Sequence, residues 1–314
     1  MIVAALDVGT NSVLMLLARL AAGSAPVALD DLCEITRLGR GVDRTGRLDP
    51  ESARRTLATI TRFAAQARAR GAERTVAVAT SALREAADGP EFVAAVARQT
   101  GVQLEVISGQ TEASLNYVSA VKGLGLDPAA RLLILDVGGG STELITAAPG
   151  SEPRLASLAL GSVRLTERLV RSDPPTLADQ RTVRAAVKAE LSQLGWTFKP
   201  EIVVGVAGTV TTLCAVSRKL AAYDAGRVHG QRLSRAEIEA TTRLLARLPH
   251  DARLKLPGMV EGRADVIFAG AAIVDCVMEA CGAAELVVSD HGVRWGLVWR
   301  EAEKLFRVGG AAAD

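Results

Sequence analysis

Cysteine and histidine are scarce in this chain, and neither is arranged for metal chemistry. The four cysteines, Cys33, Cys214, Cys276 and Cys281, form no C-x-x-C pair, and only three histidines exist, His229, His250 and His291. That argues against a zinc site, and such scattered thiols suit a reduced, cytoplasmic protein. No histidine has a serine or cysteine placed as a nucleophile's partner, so neither a triad nor a phosphohistidine is indicated. Charge of one sign is lacking too. With 37 basic against 35 acidic residues the net charge is +2, and no global field points to nucleic acid or an anionic membrane. A local basic groove for an anionic substrate stays open. The start, Met1 to Asp7, has no basic segment, and Arg19 interrupts the apolar run Val13 to Leu20. Neither stretch reads as a signal peptide or reaches the ~18 apolar residues of a membrane span.

What the chain has is ample apolar material. At 314 residues, 49% apolar and 23% charged, it predicts an ordered protein of two domains, taking about 100–200 residues for each. Short apolar runs at 2–6, 13–20, 27–38, 75–79 and 104–107 read as strands, with helices at about 50–70, 90–99 and 110–121. Lys122 to Pro128 combines two glycines with a proline and marks a boundary between domains 1–124 and 125–314. After it, strands at 132–135, 143–146, 202–204 and 285–289 alternate with helices at 176–194, 234–248, 263–281 and 293–306. Ser234-Arg-Ala-Glu237 is a capping box. The alternation calls for an α/β fold with covered sheets, and the helix at about 293–307 is expected to pack back onto the first domain.

The most informative pattern is a repeat. Leu-Asp-Val-Gly-x-x-Ser occurs at Leu6 to Ser12 and again at Leu135 to Ser141, 129 residues apart. It predicts two related lobes, each opening with the same hairpin. In such a turn the main-chain N–H groups of Gly9, Thr10, Asn11 and Ser12, or of Gly138, Gly139, Gly140 and Ser141, can approach a phosphate closely, because glycine has no Cβ in the way. One copy is unremarkable in any hairpin. Two matched copies facing each other would grip a polyphosphate from both sides. Asp7 and Asp136 close their strands as oxygen ligands for Mg²⁺, unless each stabilises only its own loop. Glu143 starts a strand, where an acid is disfavoured unless it is exposed or functional. Glu112 lies in a helix's first turn behind Ser108 at a strand end, a place the helix dipole alone also explains. Gly205 to Thr209 offers another turn with room for phosphate, and Thr209 and Thr211 offer hydroxyls, although ordinary helix entry accounts for it as well. Arg84 and Arg40 are loop arginines able to clamp phosphate oxygens.

Taken in order, these stretches resemble the Ppx/GppA phosphatase family. The residues that carry the resemblance are Leu6 to Ser12, Arg37 to Val42, Thr80 to Ala86, Ile107 to Ala113, Leu135 to Glu143, Gly208 to Thr211, Arg263 to Ile267 with Gly270, and Val288 to Arg294. The resemblance implies two actin-like, ribonuclease H-like domains, each a mixed sheet flanked by helices, with an interdomain cleft, in the short two-lobe form of the family. It implies an exopolyphosphatase releasing orthophosphate, with guanosine pentaphosphate phosphohydrolysis, tied to the stringent response, as the alternative from the same site. It further implies Glu112 as general base, Asp136 and Glu143 on Mg²⁺ or the attacking water, and Gly138, Gly139, Gly140, Ser141, Gly208 and Thr209 on phosphate. K⁺ as an activator and a cytoplasmic homodimer without nucleic acid or membrane partners complete the expectation. An actin-like kinase or nucleotide-binding sensor is the competing class. Kinases of this fold also use paired glycine turns, and the stretches at 80–86 and 107–113 favour hydrolysis.

Overall fold

The structure is a computed structural model and describes residues 1–307. The tail of the expected second domain, 308–314, lies outside the described residues. The described chain forms two compact units, one of Met1–Ser119 with Val293–Arg307, the other of Ala120–Gly292.

The first unit runs β1 (Ile2–Val8), β2 (Ser12–Arg19), β3 (Val27–Ile35), α1 (Val42–Thr45), α2 (Pro50–Ala69), β4 (Arg74–Ala79), α3 (Ser81–Glu85), α4 (Gly89–Thr100), β5 (Leu104–Val106) and the start of α5 (Gly109–Leu124). Its sheet has the order β3-β2-β1-β4-β5. The first three strands form an antiparallel meander, and β4 and β5 add in parallel. Both faces are covered, which is why β1 is apolar at almost every position. Ala4, Leu6 and Val8 pack with Ile60, Phe63 and Ala64 of α2, while Val3 and Ala5 pack with Leu115 of α5 and residues 293–298. Asp49 starts α2 by accepting from the Ser52 amide at 2.9 Å, with Pro50 in the first turn.

The second unit runs β6 (Leu132–Val137), β7 (Thr142–Ala147), β8 (Arg154–Leu158), α6 (Ser162–Leu169), α7 (Leu177–Gln193), β9 (Ile202–Val206), α8 (Ala207–Ser217), α9 (Ala225–Val228), β10 (Arg232–Ser234), α10 (Arg235–Arg247), α11 (His250–Leu254), α12 (Ile267–Cys281) and β11 (Glu285–Val288). Then α13 (Val293–Arg307) belongs to the first unit, with Val293, Leu297 and Val298 against its sheet. The second sheet has the order β10-β11-β9-β6-β7-β8. Leave out the edge strand β10 and the order of the first sheet returns, with β6, β7, β8, β9 and β11 standing for β1 to β5. The repeat seen in sequence is thus a repeat of topology, the actin-like, ribonuclease H-like arrangement. Capping boxes at Thr176 with Asp179 and Ser234 with Glu237 start α7 and α10, the second where the sequence places one.

Two of the expected features fall differently in the structure, each for a local reason. The glycine-rich segment from Lys122 is not a linker at its start, because α5 continues to Leu124 and stops at Gly125, which takes φ 60°. Gly123 serves close packing instead, since a Cβ there would lie 2.4 Å from Nδ1 of His291. The division between units accordingly falls between Ser119 and Ala120, inside α5. The helix expected from Arg263 begins at Ile267, with turns before it and Gly262 at φ 80°.

Candidate functional site

In the first unit the β1–β2 turn is closed by the Gly9 amide donating to the Ser12 carbonyl at 2.9 Å. A second segment straps it: the Thr36 and Arg37 amides donate to the Asn11 carbonyl, and the Gly39 amide to the Thr10 carbonyl. In a trans peptide the carbonyl and the next N–H point in opposite directions. Carbonyls of Thr10 and Asn11 held toward 36–39 therefore turn the Asn11 and Ser12 amides the other way. Gly39 is required for this strap, because its Cβ would fall 2.2 Å from Cγ2 of Thr10. Arg37 takes φ 57°, a left-handed conformation that costs on the order of 1 kcal/mol for a residue other than glycine.

The second unit builds the same device from different parts. The Gly138 amide donates to the Ser141 carbonyl at 3.0 Å, and the first turn of α6 supplies the strap. The Ser162 amide donates to the Gly138 carbonyl, the Val163 and Arg164 amides to that of Gly139, and Arg164 Nε to that of Gly140 at 2.6 Å. All three glycine carbonyls are thereby committed to α6, and the amides of Gly139, Gly140 and Ser141 face away from it. Such a row of like-directed N–H groups is an anion nest. Behind it, Thr209 donates its hydroxyl to the Val137 carbonyl at 3.0 Å, which fixes the start of α8 to the end of β6. Thr209 thus positions the start of α8 through its hydroxyl.

Beside the nest stand two acids. Asp136 and Glu143 are direct partners in the β6–β7 ladder, so their side chains share one face of the sheet. Glu143 is 0% and Asp136 6% exposed, and they offer oxygens within 4.8 Å of each other. Ser157 donates to Oε1 of Glu143 at 2.7 Å. Two buried carboxylates at this separation repel when both are ionised, and a proton or a cation close by relieves the repulsion. Hard oxygen donors of this kind fit a divalent cation such as Mg²⁺, so the acidic residues could hold a metal ion. The equivalent position opposite Asp7 in the first hairpin is Leu14, so only the second hairpin carries the pair.

Glu112 sits in the first turn of α5, 7% exposed, with its amide donating to the Ser108 carbonyl. Arg84, from α3, donates through Nη1 to the Ile107 carbonyl at 2.8 Å and reaches Oε2 of Glu112 at 3.5 Å. Strand ends β4 and β5 thus bring the arginine and the acid of the sequence reading together within one unit. Arg40 is exposed.

Two features escaped the sequence. One is the strap of α6, which works through backbone amides that any residues would supply; the one trace is Gly161, whose Cβ would lie 2.2 Å from the Gly139 carbonyl oxygen. The other is Arg263, whose guanidinium lies flat on Gly208, with Cζ, Nη1 and Nη2 each 2.1 Å from where a Cβ would be. Arg263 stands in the Arg-Ala-Asp-Val-Ile stretch, so its position was visible and its neighbour was not.

A duplicated ribonuclease H-like topology, each copy opening on a strapped phosphate-sized turn and one copy holding an acid pair, defines an actin-like phosphate-handling protein. The chain belongs to the Ppx/GppA phosphatase family, which it matches over residues 17–305. It is 39% identical over 312 residues to exopolyphosphatase 2 of Mycobacterium tuberculosis, covering 94% of this chain and 97% of that protein. The crystal structure of the Aquifex aeolicus Ppx/GppA family member superposes with a TM-score of 0.82 at 32% identity, covering 97% of this chain and 98% of that one. An exopolyphosphatase from Cytophaga hutchinsonii, at 22% identity and a TM-score of 0.87, shares the fold over 97% of this chain and 98% of its own.

Proposed function

We propose that this chain is an exopolyphosphatase that hydrolyses the terminal phosphoanhydride of polyphosphate and releases orthophosphate. The observation that carries the reading is the buried Asp136–Glu143 ladder pair set beside a glycine nest whose amides face away from their strap. An anionic end group in the nest and a divalent cation on the two acids satisfy both demands at once. Mg²⁺ held by Asp136 and Glu143 would supply neutralisation of the phosphoryl oxygens. The amides of Gly139, Gly140 and Ser141 and the α8 start at Gly208 and Thr209 orient the terminal phosphoryl group, and the first hairpin, Asp7 with Gly9 to Ser12, grips the adjoining phosphates. Glu112 accepts the proton as water attacks phosphorus and the bridging P–O bond breaks toward the shortened chain. Arg84, anchored on the Ile107 carbonyl, orients the Glu112 carboxylate. Fixed dipoles carry most of the acceleration in such a scheme, and the base adds about 10²–10⁴-fold.

No helix of the described residues is long and apolar enough to cross a membrane. A cytoplasmic homodimer, with K⁺ as an activator, completes the reading. Its test is orthophosphate release, with Mg²⁺ and no acceptor, from short polyphosphate, long polyphosphate and guanosine pentaphosphate side by side. Release from polyphosphate at the highest kcat/KM is expected. Preference for guanosine pentaphosphate would reassign the substrate, and phosphate transfer only when a sugar or acetate is added would make the chain a kinase.

A further inference from the structure

Cross-strand register sets three polar side chains in one row of the second sheet. Asp136 of β6 lies opposite Glu143 of β7, and Glu143 lies opposite Ser157 of β8. Residues directly opposite in a ladder share a face, so the row runs carboxylate, carboxylate, hydroxyl along one side of the sheet. The other side of the same strands, with Leu133, Leu135, Val137, Leu144 and Leu158, belongs to the apolar core. Ser157 is exposed on an edge strand, where water competes for its hydroxyl, yet that hydroxyl donates to Oε1 of Glu143 at 2.7 Å.

The first unit provides an internal comparison. There Asp7 lies opposite Leu14, and Leu14 opposite Cys33. The aspartate is common to both rows, and the two positions beyond it change together: leucine with cysteine in one, glutamate with serine in the other. A thiol is a weak donor, and leucine accepts nothing. Edge exposure does not explain the serine, because Cys33 is exposed on an edge strand too, β3. The serine goes with the acid.

What the hydroxyl adds is geometry. The last torsion of a glutamate, which turns the plane of its carboxylate, is broad and lacks sharp wells. Glu143 is 0% exposed, and a buried carboxylate needs hydrogen-bond donors as well as direction. The Ser157 hydroxyl stands one rotatable bond from the β8 backbone, so an Oε1 bonded to it has a fixed place in the sheet, and the carboxylate plane is fixed with it. A small hard cation such as Mg²⁺ demands near-ideal octahedral geometry from its oxygen ligands.

We propose that Ser157 is a positioning residue for a divalent cation on Asp136 and Glu143, acting by fixing the plane of the Glu143 carboxylate. The role rests on the reading of those two acids as the cation site. Hydrogen-bond partners of metal-ligating side chains typically contribute about 10–100-fold to metal affinity.

Binding of Mn²⁺, which takes oxygen ligands as Mg²⁺ does, is measured on the full-length chain without substrate, by electron paramagnetic resonance of the free ion. Expected is a Kd about tenfold or more higher in Ser157→Ala, and also in Ser157→Cys, which keeps the size of the side chain but offers only a weak donor. Ser157→Thr, with its hydroxyl retained on a strand-favouring side chain, should return to within a few-fold of wild type. Cys33→Ala, on the same rung of the first unit, should bind as wild type does. Glu143→Gln is the reference for the acids themselves. If it binds Mn²⁺ as tightly as wild type, the cation is not on this pair, and the role of Ser157 falls with the pair's. If Glu143→Gln loses affinity while Ser157→Ala and Ser157→Cys keep it, the acids hold the cation and the positioning role alone is overturned. A Ser157→Thr protein as weak as Ser157→Ala overturns it too, since the strand and not the hydroxyl would then be responsible.

Discussion

Glu143 faces Asp136 directly across the β6–β7 ladder, and the serine that reaches Glu143, Ser157, bonds only to Oε1. Like charges placed opposite each other destabilise a sheet, and burial sharpens the repulsion. A cation held between the two carboxylates would relieve that repulsion, and the pair could hold one.

This gives a prediction in which stability and activity move apart. Glu143→Gln keeps the shape of the side chain and its acceptor for Ser157 while removing one negative charge. In EDTA the variant should melt at or above the wild-type temperature, yet need at least about tenfold more Mg²⁺ for half-maximal turnover, a loss of more than ~1.4 kcal/mol in cation affinity. Thermal melts with a Mg²⁺ titration check both halves. A variant less stable in EDTA with unchanged Mg²⁺ requirement would mean that the acid is a structural element of the hairpin.

Glu112 separates base from binder. Glu112→Gln should lower kcat by about 10²–10⁴-fold and leave KM within a few-fold, because a neutral amide holds the place without taking a proton. Arg84→Met should lower kcat less and shift the acid limb of the kcat profile, since the guanidinium reaches the Glu112 carboxylate. Steady-state kinetics between pH 5 and 9 decide it, and full turnover by Glu112→Gln removes the residue from the proton path.

Much of this was legible because it rests on local chemistry. Leu-Asp-Val-Gly-x-x-Ser dictated a hairpin twice, and both units open with one. Asp49 with Pro50, and Ser234 with Glu237, announced helix starts that the structure contains. What stayed hidden depends on residues far apart in the chain. Gly123 reads as a linker glycine until His291 arrives against it, and Gly208 reads as a helix entry until Arg263 does. In Gly205-Val-Ala-Gly208 a glycine would be expected to take the left-handed turn, yet Ala207 does so at φ 67°. Gly205 is kept for closeness, with Val210 Cγ1 2.8 Å from its would-be Cβ.

Two glycine substitutions should differ for a stated reason. At Gly161 the obstacle is backbone, the Gly139 carbonyl oxygen, and it cannot retreat without moving the nest. Gly161→Ala should cost about 1–3 kcal/mol in urea unfolding and raise KM for polyphosphate. At Gly208 the obstacle is the far end of the Arg263 side chain, which can swing aside. Gly208→Ala should therefore unfold within about 1 kcal/mol of wild type. Equal destabilisation by the two would show that α6 is not the rigid support described.

The thiols supply a test of burial alone. Desolvation raises the Cys276 thiol to about 11 and holds Cys214 and Cys281 above their ordinary value as well, whereas Cys33 is exposed on β3. A thiol whose pKa is higher folded than unfolded contributes stability fully below the unfolded value of 9.0, and that contribution fades as pH climbs toward about 11. Iodoacetamide at pH 8 should accordingly label Cys33 first, since the thiolate is the nucleophile, and label the other three only after denaturant is added. Unfolding curves should lose stability between pH 9 and about 11, and Cys276→Ala should lose less over that interval. Peptide mass spectrometry of the labelled chain reads the first result. Rapid labelling of Cys276 in the native protein would show that α12 opens, and that its packing behind the β6 loop is looser than the buried core requires.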